Sequence, residues 1–226
     1  MNSWHKEAEK QWDQFAAEWS SNAKEMWEKG SRKTIIPFFV SHLENGAFIA
    51  DLGCGDGYGT IELARHGMKV IGLDLSSEMV ETANEKVKGL NEVHFIQGDL
   101  NQLPLDPESL DGTMAINSLE WTENPLHSLN EIKRIVKPGG VSCFGILGPT
   151  AAPRKAHSYK RLYGEQIIMN SMMPWEFARL AEENGWELIA DLGVEKREAK
   201  LEQLMYLPKE LQQAVCFMWL FILKKK

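Results

Sequence analysis

Along the first thirty residues, Trp12, Phe15, Ala16, Trp19, Ala23, Met26 and Trp27 recur at intervals of three and four. That is the spacing of one face of an α-helix. Ser20-Ser21-Asn22 is expected to divide this stretch into two helices, and Gly30 to end the second. A short helix is expected from Thr34 to Leu43, with Asn45-Gly46 turning the chain into the first strand. From there apolar runs and helical patterns alternate. Strands are expected at Ala47–Leu52, Met68–Leu73, Val93–Ile96, Leu110–Ile116 and Val141–Leu147. Helices are expected from Thr60 to His66, from Ser76 or Ser77 towards Val87, and from Pro125 to Val136. Gly67 supplies one helix stop, and Pro138-Gly139-Gly140 cannot continue another.

Beyond residue 148 the rhythm changes. A polar, partly basic segment precedes a helix at Pro174–Asn184, a strand at Trp186–Val194, a helix over 201–212 and a final strand at Ala214–Leu223. That last apolar run is about half the length of a membrane-crossing helix, which needs roughly 20 residues. It suits a central strand covered on both faces. Strands alternating with helices imply an α/β fold built on a mostly parallel sheet.

Composition narrows the function classes. The chain has 226 residues, with 25 Lys and Arg against 32 Asp and Glu, a formal charge of −7. An acidic chain without a basic stripe is a poor partner for duplex nucleic acid, so none is expected. Cys54, Cys143 and Cys216 lie far apart with no C-x-x-C pair, which excludes a cysteine zinc site and a disulfide framework. His5, His42, His66, His94 and His127 show no ligand spacing, so no metal is assigned. A polar N-terminus and the absence of a long apolar run lead to the expectation of a soluble, cytoplasmic protein.

The segment richest in chemistry is Asp51-Leu52-Gly53-Cys54-Gly55-Asp56-Gly57-Tyr58-Gly59, between a strand and a helix. Its glycines let the backbone turn sharply and approach a ligand. The dinucleotide spacing G-x-G-x-x-G fails, because Tyr58 or Thr60 stands where its third glycine belongs, and no P-loop lysine follows. Asp51 ahead of the loop would repel a pyrophosphate and suits a ligand with a cationic amine. Asp74 and Asp99 end the next two strands, so three carboxylates gather at the sheet edge where α/β folds bind ligands. An acceptor at Asp74 suits ribose hydroxyls, and one at Asp99 suits an exocyclic amine.

These runs, with Gly72-Leu73-Asp74-Leu75-Ser76, Gly98-Asp99-Leu100 and Arg134-Ile135-Val136-Lys137-Pro138-Gly139-Gly140, resemble the class I S-adenosylmethionine-dependent methyltransferases. The similarity is to their small-molecule, ubiquinone/menaquinone-type ("type 11") branch and covers about residues 8 to 147. The resemblance implies a doubly wound seven-stranded sheet of order 3-2-1-4-5-7-6 with strand 7 antiparallel, N-terminal helices and a helical lid insertion. It implies one domain, with a helical cap (1–45), a cofactor-binding half (46–148) and a lid segment with C-terminal strands (149–226). S-adenosylmethionine would be the cofactor and S-adenosylhomocysteine the product. Gly53, Cys54 and Gly55 would flank the methionine part, with Asp51 near its amine. Asp74 would hold the ribose, Leu75 and Met79 would line the adenine pocket, and Asp99 and Leu100 would bind the base. Asn117 would contact the cofactor through its backbone.

Departures from the family pattern concern the acceptor. Asn117-Ser118-Leu119-Glu120-Trp121 stands where many members carry a histidine, and the Asn/Asp-Pro-Pro-Tyr motif of amino-directed members is absent. Glu120 reads either as a general base or as a solvated loop carboxylate; His157, Tyr159 and Tyr163 are further candidates. Residues 150–175 carry Arg154, Lys155, Lys160 and Arg161 against Glu165 alone. That segment reads as a lid with a basic rim for an amphipathic or anionic acceptor, or as a solvated helix with its methionines in the core. Eight tryptophans stand out, four within the first 27 residues. Trp12, Trp19 and Trp121 are expected either to pack the N-terminal helix or to roof the acceptor site; Trp186 and Trp219 read as structural. The expected function is methyl transfer to a small molecule, with a non-catalytic cofactor sensor or an RNA/protein methyltransferase as alternatives.

Overall fold

In the computed structural model, which describes residues 3–87, 93–195 and 200–226, the chain starts with one continuous helix, α1 (Ser3–Glu28). The expected break at 20–22 does not occur. Ser21 Oγ and Asn22 Nδ2 both donate to the Glu18 carbonyl (2.7 and 2.9 Å), so these polar side chains are satisfied within the helix. The short helix α2 (Ile35–Val40) follows.

The alternating region gives β1 (Phe48–Leu52), α3 (Tyr58–Arg65), β2 (Lys69–Asp74), α4 (Ser77–Lys86), β3 (Val93–Gln97), β4 (Leu110–Ile116), α5 (Pro125–Ile135) and β5 (Val136–Leu147). Ser76 caps α4 by accepting from Met79 N at 3.1 Å, and Asn124 caps α5 by accepting from His127 N. The last part holds α6 (Ala152–Lys160), α7 (Pro174–Glu183), β6 (Trp186–Val194), α8 (Lys209–Val215) and β7 (Met218–Lys225). The helix expected over 201–212 is instead a 3-10 turn at Leu201–Leu204 and then α8, because Pro208 cannot sit inside a helix and takes the N-cap. Ala214 and Val215 consequently close α8 rather than open β7.

The strands form one sheet in the order β3-β2-β1-β4-β5-β7-β6. Pairing is parallel from β3 through β5, and β7 runs antiparallel to both β5 and β6. The expected order is therefore observed. Met218 to Leu223 are all buried, as a strand inserted between two others requires. Apolar clusters cover both faces. Phe144, Phe177, Trp186 and Phe221 anchor one; Ile35, Phe39, Ile49, Leu63 and Ile222 anchor the other. Trp186 (0% exposed) and Trp219 (2%) belong to the core. No helix among the described residues is long and apolar enough to cross a membrane.

Candidate active site

The parallel strands deliver their C-terminal ends to one edge of the sheet. There the glycine loop is pinned by Gly53 N and Cys54 N, both donating to the Leu73 carbonyl (2.7 and 2.9 Å). Gly53 and Gly55 have φ of 73° and 56°, in the left-handed region glycine adopts without penalty. Both are tightly enclosed. A Cβ on Gly53 would lie 2.5 Å from Ser118 Cβ, and one on Gly55 2.9 Å from Trp19 Nε1.

Asp74, at the end of β2, accepts from Gly55 N through Oδ2 (2.7 Å) and from Ser76 N through Oδ1 (3.0 Å). Burial raises its pKa, and these backbone donors oppose the rise. Asp99 accepts from Asn101 N (2.8 Å), and its Oδ2 lies 3.1 Å from His5 Nδ1. Asn101 Nδ2 stands 2.6 Å from His5 Nε2, completing a network that ties α1 to the end of β3. Further ties run from Asp13 to Ser76 Oγ (2.6 Å), Glu9 to Gln97 (2.8 Å) and Trp4 Nε1 to the Trp121 carbonyl (2.9 Å). Through these contacts α1 straps the strand ends.

Between α1 and the sheet edge lies a cavity of about 310 Å³. Of the residues expected at the site, Gly53, Gly55, Asp74, Leu75, Met79, Asp99, Leu100, Asn117, Trp12, Trp19 and Trp121 all line it. Trp12 meets Trp19 and Trp121 edge-on, with ring centroids 5.7 and 4.9 Å apart. The tryptophans thus form one connected wall.

Other expected residues lie elsewhere. Cys54 turns its thiol into a small apolar cluster with Ala83, Val93 and Phe95, where burial pushes the thiol pKa well up. Asp51 sits behind the loop, accepting from Thr60 Oγ1 at 2.7 Å. Burial, reinforced by Asp74, lifts its pKa to about 7, against the Thr60 hydrogen bond and the Arg32 charge. Glu120 is not a solvated carboxylate and does not line the cavity, because the 3-10 turn after β4 buries it. It is fully buried, and its Oε1 accepts from Leu147 N at 2.7 Å. Burial raises its pKa despite nearby Arg154, which itself donates to the Leu147 and Met172 carbonyls (3.0 and 2.7 Å). Tyr159 and Tyr163 are exposed and bonded to each other (2.9 Å), away from the cavity. The His157 side chain lies outside the described residues. Met169 and Met172 are buried in the core.

Sequence reasoning missed Arg32. It is 5% exposed, lines the cavity, and stacks over Trp19 and Trp27 with its guanidinium carbon 4.6 and 5.7 Å from the ring centroids. Burial lowers its pKa to about 10, opposed by the Asp51 and Asp56 charges, so it stays a cation at neutral pH. Asn117, with φ of 53°, takes the amide orientation that accepts from Arg32 Nη2 at 3.3 Å and donates to the Gly145 carbonyl at 3.2 Å. No signal in Ser31-Arg32-Lys33 separates Arg32 from an ordinary surface base. His5 escaped for the same reason, since its partners are 94 and 96 residues away along the chain.

The residues present fit S-adenosylmethionine. Apolar walls at Leu75, Met79 and Leu100 suit an adenine, with Asp99 beside them for its amino group. The buried Asp74 carboxylate suits ribose hydroxyls, and Arg32 suits a carboxylate. No group of His, Cys, Asp or Glu among the described residues is arranged to hold a metal ion.

Comparison with known proteins agrees. The family model described as a methyltransferase domain (Methyltransf_11) matches residues 50–144. A demethylmenaquinone methyltransferase of Staphylococcus haemolyticus is 32% identical over 153 residues, 64% of this chain and 61% of that protein. A malonyl-[acyl-carrier protein] O-methyltransferase of Pectobacterium atrosepticum is 28% identical over 139 residues, 62% of this chain and 53% of the relative. The chain thus spans about half the length of the curated relatives it matches. Among solved structures, a putative methyltransferase of Haloferax volcanii in complex with the Trm112 methyltransferase activator superposes with a TM-score of 0.75. It is 22% identical, with 96% of each chain covered. Glycine loop, strand-end carboxylates and strand order converge with these matches: residues 50–144 match the methyltransferase-domain model, and the chain has the Rossmann-like fold of the S-adenosylmethionine-dependent methyltransferases it resembles.

Proposed function

We propose that the protein transfers the methyl group of S-adenosylmethionine to a small, largely apolar acceptor held under the α1 tryptophans. The observation that carries this reading is the single cavity wall formed by Asp74, the glycine loop, Arg32 and the tryptophans. In this arrangement Asp74 binds the ribose, Leu75, Met79 and Leu100 sandwich the adenine, and Asp99 with His5 closes its far end. Arg32, braced by Asn117 and Trp19, takes the cofactor carboxylate, while the Asp51 field favours its ammonium. The bound cofactor supplies an electrophilic methyl group on a sulfonium whose sulfur leaves as a neutral thioether.

The chain's own contribution is orientation and exclusion of water. Trp12, Phe15, Trp121, Ile116 and Ile168 give the acceptor side of the cavity an apolar surface. With Glu120 turned away, the titratable side chains lining the cavity are His5, Glu18, Arg32, Asp74 and Asp99 among the described residues. His5 and Asp99 pair with each other, Asp74 accepts from the Gly55 and Ser76 amides, Arg32 stacks on Trp19 and Trp27, and Glu18 is exposed on α1. The acceptor is therefore one that arrives nucleophilic, or that loses its proton to water.

The test is S-adenosylhomocysteine release on incubation with a fractionated metabolite pool. Aromatic and carboxylate compounds come first, since the relatives are named for demethylmenaquinone and malonyl-[acyl-carrier protein]. Acceptor-dependent release is expected. Tight cofactor binding with no release from any fraction would support the sensor reading instead.

A further inference from the structure

Residues 152–165 leave the cavity wall and return to it. Pro153 and Ile168 both line the cavity, while the segment between them runs outward as α6 and the 3-10 turn Arg161–Tyr163. Its base is fixed. Arg154 is 2% exposed, and its two hydrogen bonds to the Leu147 and Met172 carbonyls clamp the foot of α6 to the end of β5.

The outer part has no cover. Residues 159–166 are all exposed, and three of them are large: Tyr159 (57%), Leu162 (67%) and Tyr163 (70%). The two tyrosines meet edge-on at 5.5 Å, so they present one aromatic plate with Leu162 in the same short turn. Around it Lys155, Lys160 and Arg161 are exposed against Glu165 alone, 3 − 1 = +2 in a chain of net −7. Phe15, 49% exposed, adds an apolar group at the rim of the same cavity from α1.

A second exposed apolar patch, Met205, Tyr206 and Leu211, has the opposite electrostatics. Over 201–211 Lys209 faces Glu202 and Glu210, 1 − 2 = −1, and Lys209 is paired with Asp191 at 3.0 Å. Exposed aromatics and leucine ringed by lysine and arginine are the composition that settles at the headgroup level of a bilayer with anionic lipids. We propose that the α6 excursion docks the protein peripherally on an anionic membrane surface, with the cavity mouth beside the contact. An apolar acceptor could then pass from the bilayer to the tryptophan wall without crossing water.

Sedimentation of the full chain with phosphatidylcholine vesicles, with and without phosphatidylglycerol, reads this directly. Partition onto phosphatidylglycerol vesicles, absent with phosphatidylcholine alone and lost at high salt, is the expected result. Lys160→Ala should lower the partition coefficient about five-fold and Lys160→Glu about 25-fold, one charge step each. Leu162→Asp should abolish binding. Both positions are exposed, and calorimetric binding of S-adenosylmethionine confirms that each variant is folded. Equal partition on both vesicle types would overturn the proposal, as would binding unchanged in Leu162→Asp and Lys160→Glu. So would a dimer lost in Leu162→Asp with no vesicle binding, since the patch would then cover a second copy. The readout is partition rather than turnover, so it stands apart from the methyl-transfer reading.

Discussion

The pKa of Asp51, lifted by burial to about 7, makes cofactor binding a proton-linked event. The perturbation is pH, with Asp51→Asn as the control. Relative to an unfolded value of 3.8, a folded value of about 7 means the native state holds a proton that the unfolded state has lost. This contribution to stability is therefore complete below pH 4 and lost as pH rises towards 7, roughly 4 kcal/mol over about three units. An ammonium group beside the loop reverses the preference, because it favours the carboxylate. At pH 6 about nine tenths of the free protein carries the proton, so binding should release about 0.9 proton per cofactor from this group. Between pH 5.5 and 7 the affinity should tighten about 15-fold, following the ionised fraction of Asp51. Calorimetry in buffers of different ionisation heat counts the protons. In Asp51→Asn most of the release should vanish, leaving only the share of Asp74, whose pKa is also raised. A wild type that releases no proton at pH 6, or a variant that releases as many, would refute the linkage.

Trp19→Ala removes an edge contact to Trp12 worth about 0.5–1.5 kcal/mol and the Arg32 stacking worth about 0.5–2 kcal/mol. It should lower Tm and weaken cofactor binding about tenfold; a lower Tm at unchanged affinity would reduce Trp19 to a packing residue. Gly112→Ala places a Cβ 1.8 Å from the Val141 carbonyl oxygen across the β4–β5 pair, where no side chain can yield. A loss of about 3 kcal/mol or more in denaturant unfolding is expected, and a wild-type midpoint would contradict the packing described. Glu120→Gln keeps an acceptor for Leu147 N but removes the charge facing Arg154, so stability should fall by about 1–3 kcal/mol. Cofactor affinity should stay within about two-fold, as expected for a side chain outside the cavity, and the pH profile of turnover should not move. Loss of a limb of that profile at wild-type stability would restore Glu120 as a base.

Much of the fold was legible because its strands are buried apolar runs between glycines and prolines. β4 (Leu110–Ile116) and β6 (Trp186–Val194) fall where those runs place them. Strand order came from the family resemblance, since periodicity says nothing of neighbours. The continuity of α1 was not legible. Serine and asparagine favour breaks, yet here their side chains bond back to Glu18 and the strap contacts favour one long helix. The carboxylates were legible as strand ends, but the direction of a side chain was not. Glu120 follows β4 as expected, and the turn rotates it into a buried charge node. Arg32 was invisible because its partners, Trp19, Trp27 and Asn117, meet it only in three dimensions.

The most direct test of the central claim is calorimetric titration of the wild type and Asp74→Ala with S-adenosylmethionine, with NAD as the competing ligand. The account predicts one S-adenosylmethionine site. It also predicts about 100-fold weaker binding in Asp74→Ala, because that change removes a charged acceptor and frees the Gly55 and Ser76 amides. NAD should not bind measurably. Preferential NAD binding, or S-adenosylmethionine binding unaffected by the loss of Asp74, would contradict it.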